Sequence, residues 1–153
     1  MPDSIIRALR HDRKPTYVQA VTNLLDSAGS LRRYAEPARP REIIQVANAE
    51  GVAVLGIRAV QAGALTAAID RDISPNNPDS KDYARAAPFR VLAREIGEDP
   101  AVLAHRYALA MSGVATVILG VKNREELAQC IDAAARPLDA ATMARIDALG
   151  LRL

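Results

Sequence analysis

Ala115-Thr116-Val117-Ile118-Leu119-Gly120-Val121-Lys122-Asn123-Arg124-Glu125-Glu126-Leu127 is the stretch on which the fold turns. Thr116 to Leu119 are apolar and mostly β-branched, the composition of a short buried strand. Gly120 marks where the chain leaves that strand, and Asn123 opens a helix. Asn123 is placed to cap the helix while Glu126, three residues on, reaches back to it, an Asn version of the capping box. A strand delivering Gly and Lys to a helix N-terminus makes an anion site, because unpaired N–H groups and the helix dipole both favour negative charge. The same turn also serves packing alone in many βα units, so a phosphate site and a structural turn both stay open at this point.

Upstream, the same alternation repeats. Tyr17-Val18-Gln19-Ala20-Val21 reads as a strand, followed by a polar segment from Asn23 to Pro40 that is long for a simple connection. Arg41 to Glu50 is an amphipathic helix closed by Gly51, and Val52 to Ile57 follows as a continuous apolar run, the pattern of a parallel strand buried on both faces. Strand, helix, Gly, strand is a βαβ unit. In the exit from that strand, Arg58 follows a buried segment and needs a partner, while Gly63 permits a close backbone approach. Asp70 to Asp82 reads as a loop, Tyr83 to Ile96 as a helix stopped by Gly97, and Asp99-Pro100 as the cap and first turn of the next helix, which runs to Met111. After the opening stretch come a helix from Arg124 to Ala134, a break at Pro137, and a last helix capped by Asp139 and ended by Gly150. At the other end, Pro2-Asp3-Ser4 starts a helix that Pro15 ends. The fold class is therefore α/β with three parallel strands in a single domain spanning residues 1–153. Three such strands leave two open edges, and the first helix lacks the strand that should precede it, so the chain is expected to begin in mid-fold and to need something across its edges.

Composition narrows the class further. Of 153 residues half are apolar, but only four Tyr and one Phe are aromatic and there is no Trp, so the core is built from Ala, Val, Ile and Leu. A formal charge of +2 gives no reason to expect a nucleic-acid partner, and the basic end of the first helix (Arg7, Arg10, Arg13, Lys14) reads as solvated. The lone Cys130 excludes an internal disulfide and suits a reducing cytoplasm. His11 and His105 form no zinc-ligand spacing, the N-terminus has no signal-peptide pattern, and no apolar run approaches the ~20 residues of a membrane helix.

Taken together, Tyr17 to Leu25, Gly51 to Thr66, Ala104 to Leu109, Val117 to Leu127 and Pro137 to Leu149 resemble, in order and spacing, the C-terminal half of an aldo/keto reductase. The resemblance implies strands six to eight of a (β/α)8 TIM barrel, with Val52–Thr66 as the seventh strand and its Gly-x-Leu-Thr exit and Val117–Asn123 as the strand-eight phosphate turn. It implies a nicotinamide cofactor, NADPH in most of the family and possibly NADH here, and an NAD(P)H-dependent reduction of a small carbonyl substrate once the barrel is complete. Gln19 would face the nicotinamide carboxamide; Arg58, Gln61, Gly63 and Leu65 would lie along the pyrophosphate. Gly120, Lys122 and Asn123 would hold the adenosine 2′-phosphate, with Glu126 and Gln129 towards the adenine.

The chain also departs from the family pattern. Ile57 stands where many members have an aromatic against the nicotinamide, Ala59-Val60 replaces a Pro-Leu, Glu126 replaces an Arg, and Gln129-Cys130 replaces a Glu-Asn. The family's Asp, Tyr, Lys and His tetrad belongs to the first half of the barrel, and no residue here matches it. The expectation is an oxidoreductase piece, truncated relative to a whole barrel, that carries cofactor loops without the proton donor and is inactive alone, its edges covered by a second chain or by the N-terminal half. The alternative is a non-catalytic nucleotide-binding or half-barrel assembly module.

Overall fold

The structure, a computed structural model, describes residues 1–32 and 34–153. Its sheet has three parallel strands in sequence order: β1 (Tyr17–Val21), β2 (Ala53–Ile57) and β3 (Thr116–Val117). Gln19 aligns with Leu55, and Leu55 with Thr116. Around it run α1 (Pro2–Leu9), α2 (Pro40–Ala49), α3 (Pro78–Arg85), α4 (Ala87–Glu95), α5 (Pro100–Ala110), α6 (Arg124–Ala135) and α7 (Ala140–Asp147). The βαβ reading of β1, α2 and β2 holds, and Gly51 ends α2 at a φ of +69°, a conformation glycine adopts without strain. Asp99 caps α5 by accepting from Ala101 N at 2.8 Å, and Asp139 caps α7 by accepting from Thr142 N at 2.8 Å.

Four expectations are corrected. The helix expected from Tyr83 to Ile96 is two helices, because Pro88 has no N–H to continue the hydrogen-bond ladder and α4 must restart at Ala87. The loop expected from Asp70 to Asp82 stops at Asn77, whose side chain caps α3 by accepting from Asp79 N at 2.8 Å. The first helix ends at Leu9, well before Pro15. The strand expected from Thr116 to Leu119 pairs only over Thr116–Val117, and Ile118 and Leu119 are exposed.

A fifth correction concerns β2, which is buried on one face only. Val54 and Gly56 are buried under the helices, whereas Ala53 is exposed and Leu55 and Ile57 are half-buried. The same alternation leaves Tyr17 58% exposed and Gln19 exposed on β1. Side chains alternate along a strand, so Tyr17, Gln19, Ala53, Leu55 and Thr116 make one face that no described element covers. The covered face packs on a core that includes Leu25, Ile44, Ala47, Leu65, Phe89, Leu103 and Tyr107. The single Phe and one of the four Tyr are thus fully buried in it, and Tyr107 keeps its hydroxyl satisfied by accepting from Arg41 at 2.9 Å and donating to Asp147 at 2.7 Å.

Candidate functional site

Two exit loops leave the C-terminal ends of β2 and β3, and they are built in opposite ways. After β2 the backbone turns sharply, with positive φ at Arg58, Gln61, Ala62 and Gly63. Such non-Gly conformations persist only where surroundings hold them, and here a buried polar network does. Arg58 Nε donates to Gln61 Oε1 at 2.9 Å and Arg58 Nη2 to Asp79 Oδ1 at 2.8 Å. Gln61 Nε2 donates to Asp82 Oδ2 at 2.6 Å, and Asn23 Nδ2 donates to Gln61 Oε1 and to the Arg58 carbonyl, both at 3.1 Å. Ser30 closes the far side, its hydroxyl donating to Asp79 Oδ2 at 2.8 Å.

The network stitches three segments that are remote in sequence: the loop after β1, the loop after β2 and the start of α3. Asp79 is 2% exposed, and burial alone would raise its pKa; the hydrogen bonds from Ser30 and the charges of Arg58 and Arg71 nevertheless hold it below the ordinary carboxylate value. Gly29 lies so close that a Cβ there would collide with Asp79 Oδ1, Gln61 Nε2 and Arg58 Nη2. The partner that Arg58 needs is therefore a carboxylate of this chain.

After β3 the turn is open. Gly120, Val121, Lys122 and Asn123 are all exposed. Asn123 caps α6 as expected, accepting from Glu126 N at 2.8 Å. The reciprocal arm is displaced by one residue: Glu126 Oε2 accepts from Lys122 N at 2.8 Å instead of from Asn123 N. Lys122 Nζ pairs with Asp70 and lies 3.5 Å from Glu126 Oε1.

Between these two loops lies a cleft of about 700 Å³ that the β2 exit loop lines with Ala62, Gly63 and Thr66, the following segment with Asp70 and Arg71, α5 with His105, and the β3 turn and α6 with Gly120, Lys122, Glu126, Gln129 and Cys130. Five of the residues singled out from the sequence thus converge: Gly63, Gly120, Lys122, Glu126 and Gln129. The others do not line it. Gln19 is on the open sheet face, Arg58 and Gln61 are in the network behind the loop, Leu65 is fully buried in the core, and Asn123 caps α6 from the exposed side. Sequence reasoning missed Asp79, Asp82, Asn23 and Ser30 as the network's other members. Two acidic residues three apart next to Asn77-Pro78 were the available signal.

His105 Nδ1 is buried without a hydrogen-bond partner, and Cys130 Sγ lies 3.5 Å from His105 Nε2. Burial pushes the His105 pKa down and the Cys130 pKa up, so both are neutral near pH 7 and the thiol is not activated. Among the described residues there is no cluster of His, Cys, Asp and Glu able to hold a metal ion, and no helix is long and apolar enough to cross a membrane.

Three parallel strands in sequence order, with the loops at the C-terminal ends of β2 and β3 lining one cleft, are the pattern of a segment of a (β/α)8 barrel. The fold agrees over 97% of this chain with the holo form of the aldo-keto reductase AKR11C1 from Bacillus halodurans, at a TM-score of 0.66 and 23% identity, the match covering 45% of that chain. The apo form of the same protein gives the same score and identity over 47% of its length. The glycerol dehydrogenase AKR11B4 from Gluconobacter oxydans agrees at a TM-score of 0.63 and 20% identity, over 87% of this chain and 41% of that one. The aldo/keto reductase family model matches residues 3–150, so the chain belongs to that family, and its fold is the C-terminal half of the barrel. It spans less than half the length of these solved relatives. No curated protein matches it.

Proposed function

We propose that this chain is the cofactor-holding part of a nicotinamide-dependent carbonyl reductase, with the adenosine end of NADPH or NADH in the cleft between the β2 exit loop and α6. The observation that carries this is the convergence of Gly63, Gly120, Lys122, Glu126 and Gln129, drawn from two separate βα loops, on one cleft. The residues present suit such a group. Gly63 at a φ of +89° keeps that wall free of a side chain, and a Cβ on Gly120 would meet nothing, so both turns leave open space. When bound, a reduced nicotinamide supplies a hydride to a carbonyl carbon. Lys122 and the turn around it hold the ribose end, the buried network keeps the β2 exit loop in one conformation, and Gln19, from the open face of β1, orients the carboxamide. The proton for the carbonyl oxygen comes from the segment that covers that open face. With Cys130 buried and free, a reducing cytoplasm suits the chain.

Titration of the purified chain with NADPH and NADH, followed by cofactor fluorescence, tests the reading. Saturable binding that weakens in Lys122→Ala supports it, and no binding at millimolar cofactor overturns it. The chain alone should not turn over aldehydes; activity that survives repurification would show that the proton donor lies within residues 1–153.

A second reading, a half-barrel that serves in assembly without catalysis, is favoured by the sheet face and the two edges, β1 and β3, that nothing covers among the described residues. On either reading the partner is a second chain or the N-terminal half of a barrel. Sedimentation separates a covered edge from a lone one: a well-folded monomer would contradict the need for a cover.

A further inference from the structure

A second cavity, of about 910 Å³, opens between the loop after β1, the start of α2 and α3, and it shares no lining residue with the cleft. We infer that it is a binding site for a phosphate monoester carried on an apolar body, held by Arg32, Lys81 and Arg85. The charges of its wall point there. Its ionised side chains are five cations and three carboxylates, and each carboxylate is already neutralised within the chain. Asp26 accepts from Arg41 Nε at 2.7 Å, Glu42 lies 3.1 Å from Arg39 Nη1, and Asp82 accepts from Arg85 Nη2 at 2.7 Å. Arg32 and Lys81 are left over. Both are exposed, and neither pairs with a carboxylate among the described residues.

Arg85 supplies an independent observation. Its Nη1 is buried with no hydrogen-bond partner. Almost every buried donor in a folded protein is satisfied, and one that is not keeps its desolvation cost until an acceptor reaches it. Both oxygens of Asp82 are already engaged, one with Arg85 Nη2 and the other with Gln61 Nε2 at 2.6 Å. The start of α2 adds to the same field, because it lies at this wall without a side-chain cap and its positive end is unanswered. Two unpaired cations and an orphaned donor call for two negative charges and several acceptor oxygens. A phosphate monoester carries both, whereas a carboxylate has one charge and two oxygens. Tyr34, Pro37 and Pro78 give the same cavity an apolar wall, which suits an aryl or alkyl group attached to the phosphate.

The test titrates phenyl phosphate, inorganic phosphate and benzoate into the purified chain, read by calorimetry and by the amide chemical shifts of residues 26–32, 38–42 and 78–85. Phenyl phosphate should bind saturably, about tenfold or more tighter than benzoate. It should also bind more tightly than inorganic phosphate, and added salt should weaken it. Arg32→Ala and Lys81→Ala, which remove exposed side chains and leave the fold intact, should each weaken binding about threefold to fivefold, the worth of an exposed ion pair. Lys122→Ala, in the cleft, should leave it unchanged. No saturable binding overturns the inference, as does benzoate binding as tightly as phenyl phosphate. A loss in Lys122→Ala with none in Arg32→Ala and Lys81→Ala also overturns it, because the phosphate would then lie in the cleft. Lys122 probes the cofactor site separately, so failure of this second site leaves the proposed function standing.

Discussion

The two exit loops do the same topological job and solve opposite problems. The loop after β2 is braced from behind by Arg58, Gln61, Asp79 and Asp82, all with their charges or amides satisfied inside the protein. The turn after β3 is exposed, and its charged groups pair at the surface, Lys122 with Asp70 and with Glu126. Burial raises the stakes of every polar group, because a buried charge without its partner keeps its desolvation cost, whereas an exposed pair is worth at most about 1 kcal/mol. One loop is therefore held by buried partners, and the other only by contacts at the surface.

The contrast breaks most sharply at Asp79. Asp79→Ala removes the carboxylate that Arg58 is paired with, leaving only the more distant charge of Asp82, and should cost about 3–5 kcal/mol in urea unfolding, the range for removing one partner of a buried pair. A loss under about 1 kcal/mol would show the network to be ornamental. Gly29→Ala comes next. Its Cβ would enter the network at a φ of +51°, and overpacking at such a site costs about 1–3 kcal/mol.

The third test is acid. Because the folded Asp79 pKa lies below its ordinary value, its contribution is fully present above the unfolded pKa, near 3.9, and fades as pH falls through the folded pKa. Asp79→Asn should flatten the part of the stability profile below about pH 4; an unchanged slope there would move the acid sensitivity elsewhere.

At the open turn the effects should be smaller. Asn123→Ala removes the α6 cap and should cost about 1 kcal/mol, read as a lowered urea midpoint. Lys122→Ala should change stability by no more than about 0.5 kcal/mol, while weakening nucleotide binding. A larger stability loss at Lys122 than at Asp79 would invert the comparison.

The cap residues and the strands were legible because their signals are local. Asn123, Asp99 and Asp139 cap their helices from positions next to the first turn, and Tyr17–Val21 was read to the residue. The halving of the Tyr83–Ile96 helix is also a local effect, set by Pro88. Of the buried network only one end was legible, the need of Arg58 for a partner. Asn23, Arg58 and Asp79 are remote in sequence, and nothing in a side chain's own neighbourhood says which distant carboxylate will neutralise it.

The sequence by itself determined the alternation of strands and helices, the parallel sheet and the Gly-Lys-Asn turn at a helix N-terminus, since periodicity and capping depend on residues a few positions apart. Tertiary structure alone decided that the apolar run of β2 is covered on one face only, because burial on the second face depends on strands from elsewhere in a barrel. It also decided that Arg58 answers to Asp79 while Lys122 stays at the open cleft. Charge pairing acts through space and takes no notice of chain order, so the division between a braced loop and an exposed one exists only once the chain is folded.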